Sequence, residues 1–376
     1  MENIFILLGV TLLAAGIDGQ TQNVDVQELT TRSADFATAL YRRIASTSDD
    51  NFAFSPLAAT LSLASLSAGA GEDTLKELLH TLKLSPMERD GEPDRISTLL
   101  QQMREAVAQT VATGLFISQN FEVDQSFRSQ VKKFYNADVK SVEFSNTQAA
   151  KASMSEYVTG STGNKVREVL DTVDPQSQLM LISAAYYTGE KQSGSPVQCQ
   201  LTQEERFYVD KYHIVQVPMM VRSDKILPGL RCTDGTAMLV LLPDEDVDYT
   251  SVDEALTAEV FLGWVAKLKK NLEVMLPRFS VEYTFSLKNS LPSLGFTKFQ
   301  DSSADLTGIS KNLCAELKVL VEVDEQGGSA APSTSSLFME TLPPRLTFNR
   351  PFLFLIYHEA TKTLLHMGRV INPTTK

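Results

Sequence analysis

Short apolar runs bounded by polar turns recur along the chain after Thr110, and they constrain the fold more than any other feature. Five such runs are present, at residues 111–117, 179–187, 237–242, 272–276 and 353–357. Apolar runs of this length are typical of strands in a sheet that is covered on both faces. The second part of the chain is therefore predicted to build a large covered sheet.

The residues before Thr110 show a helical pattern instead. Apolar residues recur three and four positions apart, as on one face of a helix, in segments 34–46, 56–68, 74–82 and 96–107. Ser55 resembles a helix N-cap, with Pro56 at the first helical position, where its missing N–H is not needed. The architecture predicted is α+β, with helices on a large sheet. No Pro/Gly/Ser-rich linker divides the chain at its midpoint, and 376 residues can form one domain with a sizeable core.

The first 19 residues are predicted to be a secretory signal peptide. An apolar run from Ile4 to Ala15 ends in small residues around Gly16. The run is shorter than the ~20 residues that cross a bilayer. Glu2 and the absence of Lys or Arg before the run make the positive end weak, so an N-terminal core helix is the alternative. We expect residues 20–376 to form a single secreted domain without a membrane segment.

Charge and cysteine content exclude several classes of protein. The formal charge of −12 argues against a nucleic-acid binder, which needs a basic surface to neutralise phosphates. Cys199, Cys232 and Cys314 follow no C-x-x-C spacing, so we expect neither a metal site nor a redox motif. In an oxidising compartment this odd number leaves at least one free thiol or an intermolecular bond.

No catalytic or cofactor motif is present. The chain has no G-x-S-x-G, H-E-x-x-H, phosphate-binding loop or G-x-G-x-x-G. Among the four histidines, His80 and His366 are expected to be structural. We therefore predict neither a cofactor nor an enzymatic activity.

An unusual segment separates two strand-like runs near the C-terminus. Residues 326–336 are small and polar, and they are followed by Leu337, Phe338 and Met339 and then by Pro343 and Pro344. Long loops without regular structure in compact domains are usually functional or disordered. The composition of this segment leaves both interpretations open.

A series of motifs in the chain resembles the serpin family. The matching segments follow the family order over essentially the whole chain after residue 19: 51–57, 69–74, 217–220, 242–245, 276–279, 304–308, 323–327, 348–352 and 367–373. Residues 210–213 and 272–274 are similar to the antitrypsin-like secreted branch. That branch includes inhibitors that act with a protein Z-like partner.

The resemblance implies both a fold and a mechanism. The fold has about nine helices around three β-sheets, with an exposed reactive-centre loop where the unusual segment lies. A target serine protease attacks this loop as a substrate and forms an acyl-enzyme, and the cut loop then inserts into the largest sheet as a new strand. The protein is thus expected to be a monomeric, secreted suicide inhibitor of a serine protease. The narrower similarity adds blood coagulation and a protein Z-like cofactor.

The family pattern places the reactive bond at Glu340–Thr341. Counting twelve residues back from Phe352 reaches Glu340, whereas counting sixteen forward from the hinge residue Glu325 reaches Thr341. The loop is therefore one residue short, and we prefer the C-terminal count. Phe338 and Met339 are the alternative bait residues.

The hinge of the loop departs from the family pattern. Its residues are Glu325, Gly327, Gly328, Ser329, Ala330, Ala331 and Pro332. Pro332 cannot donate a hydrogen bond to a sheet ladder, and Gly328 raises the entropy cost of ordering. The alternative function is therefore a non-inhibitory serpin, a carrier or signalling protein whose hinge cannot insert.

Other departures concern the large sheet and polyanion binding. Ser55, Pro56 and Ser183 lie at the family's shutter positions, and Ser183 replaces the usual Asn. Lys191 replaces a Trp near the top of the large sheet, and the chain is shorter than its relatives between residues 220 and 235. Segment 96–107 offers Arg104 alone beside Glu105, so we expect little or no response to heparin.

Overall fold

The computed structural model describes residues 2–107, 110–166, 172–187, 202–224, 230–231, 235–245, 247–267, 272–279, 281–298, 304–310, 317–325 and 345–375. The described helices are α1 (Glu2–Ala45), α2 (Pro56–Ser65), α3 (Glu72–Thr81), α4 (Arg95–Ala106), α5 (Gln125–Tyr135), α6 (Thr147–Ser161), α7 (Tyr249–Ala255), α8 (Ala258–Lys267) and α9 (Leu287–Ser290).

Fourteen strands are described along the chain, many of them in consecutive runs. They are β1 (Phe52–Phe54), β2 (Thr110–Ser118), β3 (Asp138–Val142), β4 (Leu179–Tyr187), β5 (Thr202–Tyr208), β6 (Ile214–Asp224), β7 (Leu230–Arg231), β8 (Thr236–Leu241), β9 (Leu272–Pro277), β10 (Glu282–Ser286), β11 (Leu317–Glu325), β12 (Arg345–Thr347), β13 (Phe352–His358) and β14 (Leu364–Val370). The four predicted helical segments and the five predicted strands are confirmed.

The strands form the three sheets that the family resemblance implies. The first sheet has the order β10-β11-β4-β2-β3, the second β1-β14-β13-β8-β7, and the third β12-β9-β6-β5. In the first sheet β4 pairs in parallel with β11, and β2 in parallel with β3, whereas β4 pairs antiparallel with β2. The second sheet ends in β7, which is only two residues long.

Helix α1 begins well before the predicted residue 34. Leu29 is fully buried, and Asp25, only 8% exposed, lies 2.7 Å from Arg95 of α4 and 3.1 Å from Arg89. The polar residues around Thr30 interrupt the apolar periodicity, so the sequence pattern did not predict this part of the helix. The Thr30 hydroxyl donates to the Val26 carbonyl and so remains inside the helix.

The residues predicted to form the signal peptide are helical as the first part of α1. Within the part of the chain that the structure describes, none of the helices is both long and apolar enough to cross a membrane.

The centre of the molecule is the hairpin of β13 and β14. Every residue of β14 is buried, and so is every residue of β13 except His358. β14 also pairs with β1, and α1 and α2 pack against it. An added Cβ at Gly368 would lie 2.2 Å from the Phe52 carbonyl oxygen, so this crossing requires glycine.

A buried charge network fixes β14 to the helices. Arg369 is 1% exposed, and its Nη1 donates to Oδ2 of Asp253 on α7 at 2.6 Å. The Tyr41 hydroxyl donates to the other oxygen of Asp253 at 2.7 Å, and Arg369 also donates to the carbonyls of Ser48 and Asp50. Burial, followed by the negative charge of Asp253, raises the pKa of Tyr41 well above 10, so the phenol keeps its proton. A buried charge is tolerated when it is paired and hydrogen-bonded in this way.

Replacement of Asp253 by alanine is expected to lower the free energy of unfolding by about 3–5 kcal/mol, because Arg369 would remain buried without its counter-ion. The midpoint of urea unfolding measures this change. The control is Glu72→Ala, which breaks an exposed ion pair with Lys76 and should leave the midpoint almost unchanged. Equal midpoints for the two variants would contradict the role of the network.

His366 gives the fold a defined pH dependence. Its side chain is fully buried in β14, and this burial lowers its pKa from 6.5 to about 3. Between these pH values the unfolded chain binds a proton that the folded chain does not, so acidification favours unfolding. The contribution of His366 to stability is complete above pH 6.5 and is lost as the pH falls towards 3.

We expect His366→Phe to reduce the loss of stability on acidification by about 1.4 kcal/mol per pH unit between pH 6 and pH 4. Urea unfolding at several pH values measures this slope. His80→Phe is the matched control, because His80 is exposed in the last turn of α3. Parallel pH profiles for the wild type and His366→Phe would show that the buried imidazole does not cause the acid sensitivity.

Candidate receiving sheet and reactive-centre segment

Strands β4 and β11 lie side by side at the middle of the first sheet. They pair in parallel over nine residues, from Leu179 opposite Leu317 to Tyr187 opposite Glu325. Residues 179–185 of β4 are all fully buried, and most of them are apolar. The continuous apolar run of β4 is thus explained by a sheet with both faces covered. We call the boundary between β4 and β11 the seam, and it is closed over this whole length.

The connection that follows β11 gives the seam a special position. β11 ends at Glu325, and the next described strand is β12, which belongs to the third sheet. The 19 residues 326–344 therefore link two different sheets. Because β4 and β11 are parallel, a strand that turned back after Glu325 into the seam would be antiparallel to both. Parallel pairs are slightly less stable per residue than antiparallel ones.

Most of the predicted loop residues lie outside the described part of the chain. They are Gly327, Gly328, Ser329, Ala330, Ala331, Pro332, Phe338, Met339, Glu340 and Thr341. Lys191 also lies outside it, as do the three cysteines. Glu325 is described as the last residue of β11, so the hinge begins at the end of the seam.

Two of the predicted shutter residues, Ser55 and Pro56, lie at the start of α2, and the third, Ser183, lies on β4. Ser55 caps α2, since its Oγ accepts a hydrogen bond from the Ala58 amide at 3.2 Å, and Pro56 is the first helical residue. All ten residues of α2 are buried. This helix packs against β2 and β4 of the first sheet and against β14 of the second.

Ser183 makes a contact that sequence reasoning did not identify. Its hydroxyl lies 3.2 Å from the hydroxyl of Thr113, the residue directly opposite it on β2. On the other side its register partner is Val321 of β11, which has no polar side-chain group. At this level a side-chain hydrogen bond joins β4 to β2.

Helix α6 holds the β2–β3 side of the sheet. The Tyr157 hydroxyl donates to the Thr113 carbonyl at 2.7 Å and to Oδ2 of Asp138 at 3.2 Å. Burial and then the charge of Asp138 raise the pKa of Tyr157, so it remains a donor. An added Cβ at Gly114 would lie 2.7 Å from the Tyr157 ring. Sequence reasoning missed both Tyr157 and Gly114, and the glycine within a strand was the one available signal.

Helix α4 carries few accessible cations. The Arg95 side chain is 7% exposed and bound to Asp25, and Nη2 of Arg104 lies 3.4 Å from Oε1 of Glu105. The described residues of α4 therefore do not present the row of unpaired basic side chains that a polyanion needs.

Comparison with known proteins agrees with this architecture. The family model "Serpin (serine protease inhibitor)" matches residues 31–373. The human protein Z-dependent protease inhibitor is 28% identical, and the alignment covers 93% of this chain and 83% of that protein. The horse alpha-1-antiproteinase 2 is 31% identical, with 91% of this chain and 86% of that protein covered.

Solved structures show the same fold. The crystal structure of the mouse protein Z-dependent protease inhibitor has a TM-score of 0.84 at 25% identity, covering 94% of this chain and 99% of that one. Human thyroxine-binding globulin complexed with thyroxine also has a TM-score of 0.84 at 25% identity, covering 93% of this chain and 100% of that one. The family model spans nearly the whole chain, and the strands form the three sheets that the family resemblance implies. The protein belongs to the serpin family.

Proposed function

We propose that this protein is a secreted inhibitor of a serine protease and that it acts as a suicide substrate through residues 326–344, with Glu340–Thr341 as the reactive bond. The observation that carries the proposal is the parallel seam between β4 and β11, which the segment directly follows. Cleavage would free the segment to enter the seam from Glu325.

Insertion of the segment would gain free energy from strand pairing. An inserted strand would replace one parallel ladder by two antiparallel ladders, and would bury the small side chains of residues 329–331. This gain in free energy traps the protease only if the loop inserts faster than the acyl-enzyme is hydrolysed. If insertion of the hinge residues were slow, the protease would cleave the protein as an ordinary substrate and be released.

Two measurements test this proposal. The protein is incubated with a panel of serine proteases, and a complex stable in SDS is expected with at least one of them. Its melting temperature is then compared before and after cleavage of segment 326–344, and a large increase is expected, because the cut loop adds a strand. Clean cleavage without a complex and without an increase in melting temperature would refute inhibition.

A non-inhibitory role as a carrier is the second candidate. It is favoured by Pro332 in the hinge and by the structural similarity to thyroxine-binding globulin, which is crystallised with thyroxine. A carrier would be cleaved without a gain in melting temperature. The same two measurements therefore separate the two functions.

Further proposals concern the N-terminal segment, the cellular context and a cofactor. We propose that residues 1–19 form a signal peptide, that residues 20–376 act as a monomeric extracellular domain without enzymatic activity, and that the inhibitor works in the control of blood coagulation. A protein Z-like cofactor is proposed because the human and mouse relatives are named as protein Z-dependent. We do not propose heparin as a cofactor, because Arg95 and Arg104 are both paired.

Replacing Pro332 by alanine is expected to raise the fraction of protease trapped as complex, because alanine restores the N–H that an inserted strand donates. A missing ladder bond in a buried strand costs about 1–3 kcal/mol. The ratio of trapped complex to cleaved inhibitor on SDS gels measures the effect. Pro343→Ala is the matched control, since Pro343 follows the reactive bond and does not insert. An equal effect of both substitutions would contradict the role of Pro332.

Replacing Glu340 by arginine is expected to create an inhibitor of trypsin, because trypsin cleaves after basic residues and residue 340 precedes the reactive bond. Thr341→Arg places the same side chain one residue later and should give mainly cleavage. Mass spectrometry of the released peptide identifies the bond that is cut in each variant. A stronger complex with Thr341→Arg would move the reactive bond to residues 341–342.

A further inference from the structure

A second feature of the molecule, separate from the seam, is a polar cleft at the end of the first sheet where β2 and β3 end and β4 begins. Its volume is about 320 Å³, within the range of small-ligand sites. Three connections form its walls: the turn after β2, the start of the β3–α6 connection, and the segment that leads into β4.

Main-chain hydrogen bonds hold these three walls together. The Ser118 amide donates to the Gln178 carbonyl at 2.8 Å, and the Gln119 amide donates to the Val142 carbonyl at 2.9 Å. The third wall is fixed by its own turn, in which the Gln176 amide donates to Oδ1 of Asp174 at 3.0 Å. The cleft is therefore formed before any ligand arrives, which lowers the entropy cost of binding.

Most of the polar groups in the cleft are amides and hydroxyls. Eight of its eleven lining residues are polar, and six of these are Gln119, Asn120, Glu143, Ser145, Gln176 and Gln178. Amides and hydroxyls both donate and accept hydrogen bonds, as the hydroxyl groups of a sugar do. No lysine or arginine is among the lining residues, so phosphates and sulfated chains lack a counter-charge.

One aromatic residue and one carboxylate complete the site. Phe121 lines the cleft and is partly exposed, so it offers apolar surface to the C–H face of a pyranose ring, whereas Phe144 is 2% exposed and belongs to the core. The Ser145 hydroxyl donates to Oε1 of Glu143 at 2.9 Å and thereby orients the carboxylate. A carboxylate accepts strong hydrogen bonds from hydroxyl groups.

We propose that this cleft is a binding site for a neutral saccharide. Glu143 accepts hydrogen bonds from sugar hydroxyls, and Gln119, Asn120 and Gln176 donate and accept at the rim. All three walls connect to β2, β3 or β4, on one side of the seam. Saccharide binding is therefore independent of loop insertion and of the inhibitory function proposed above.

The test uses the full chain with maltotriose as the probe, followed by saturation-transfer NMR and calorimetry. Glu143→Gln keeps the shape of the side chain and one acceptor oxygen but removes the charge, and it is expected to weaken binding about tenfold. Glu122→Gln makes the same chemical change on an exposed neighbour that does not line the cleft, and it should bind like the wild type. Gln176→Trp, which fills the cleft from its exposed rim, should abolish binding.

Several outcomes would overturn the proposal. They are no binding of maltotriose at millimolar concentration, equal affinity for Glu143→Gln and the wild type, or binding of the amine spermidine in place of the sugar. The melting temperature of each variant without ligand confirms that the fold is intact. The yield of SDS-stable protease complex with and without maltotriose is expected to be the same, which keeps this test separate from that of inhibition.

Discussion

The fold depends on how the last strand of the chain closes the core. β14 is completely buried and lies between β1 and β13, so strands from the first and last parts of the chain meet in one sheet. Gly368 permits the close approach to Phe52, and Arg369 reaches Asp253 through the interior. The Asn51 side chain accepts from the amides of Ile371 and Asn372 and donates to carbonyls of the same tail. These contacts join residues that are hundreds of positions apart, so the core is complete only when the C-terminus is in place.

The same core determines how the first sheet can behave. Helix α2 lies between β14 and the pair β2–β4, and thus supports one half of that sheet from below. Tyr157 and the Ser183–Thr113 contact reinforce the same half. Across the seam, Ser183 faces Val321, and the strands are parallel. The boundary beside Glu325 is the parallel pairing of β4 with β11, and a new strand is proposed to enter there.

The sequence predicted the elements that carry a strong periodic signal. Residues 353–357 and 179–187 read as covered strands because both faces of each strand are buried. The start of α1 was missed, because Asp25 and Thr30 are polar residues whose partners lie elsewhere in the fold or in the preceding turn. The partner of Ser183 was also missed, because identifying Thr113 requires the register between β2 and β4, which no local pattern encodes.

The sequence by itself determined the family, the strongly periodic helices and strands and the position of the segment that is proposed as bait, because motifs and apolar periods are local properties. Only the tertiary structure decided that β4 and β11 meet as a parallel pair, that Arg369 is neutralised by Asp253, and that three separate turns enclose a polar cleft beside Glu143. Each of these depends on residues brought together from distant parts of the chain. Their free energy comes from pairing and burial, which a linear sequence does not specify.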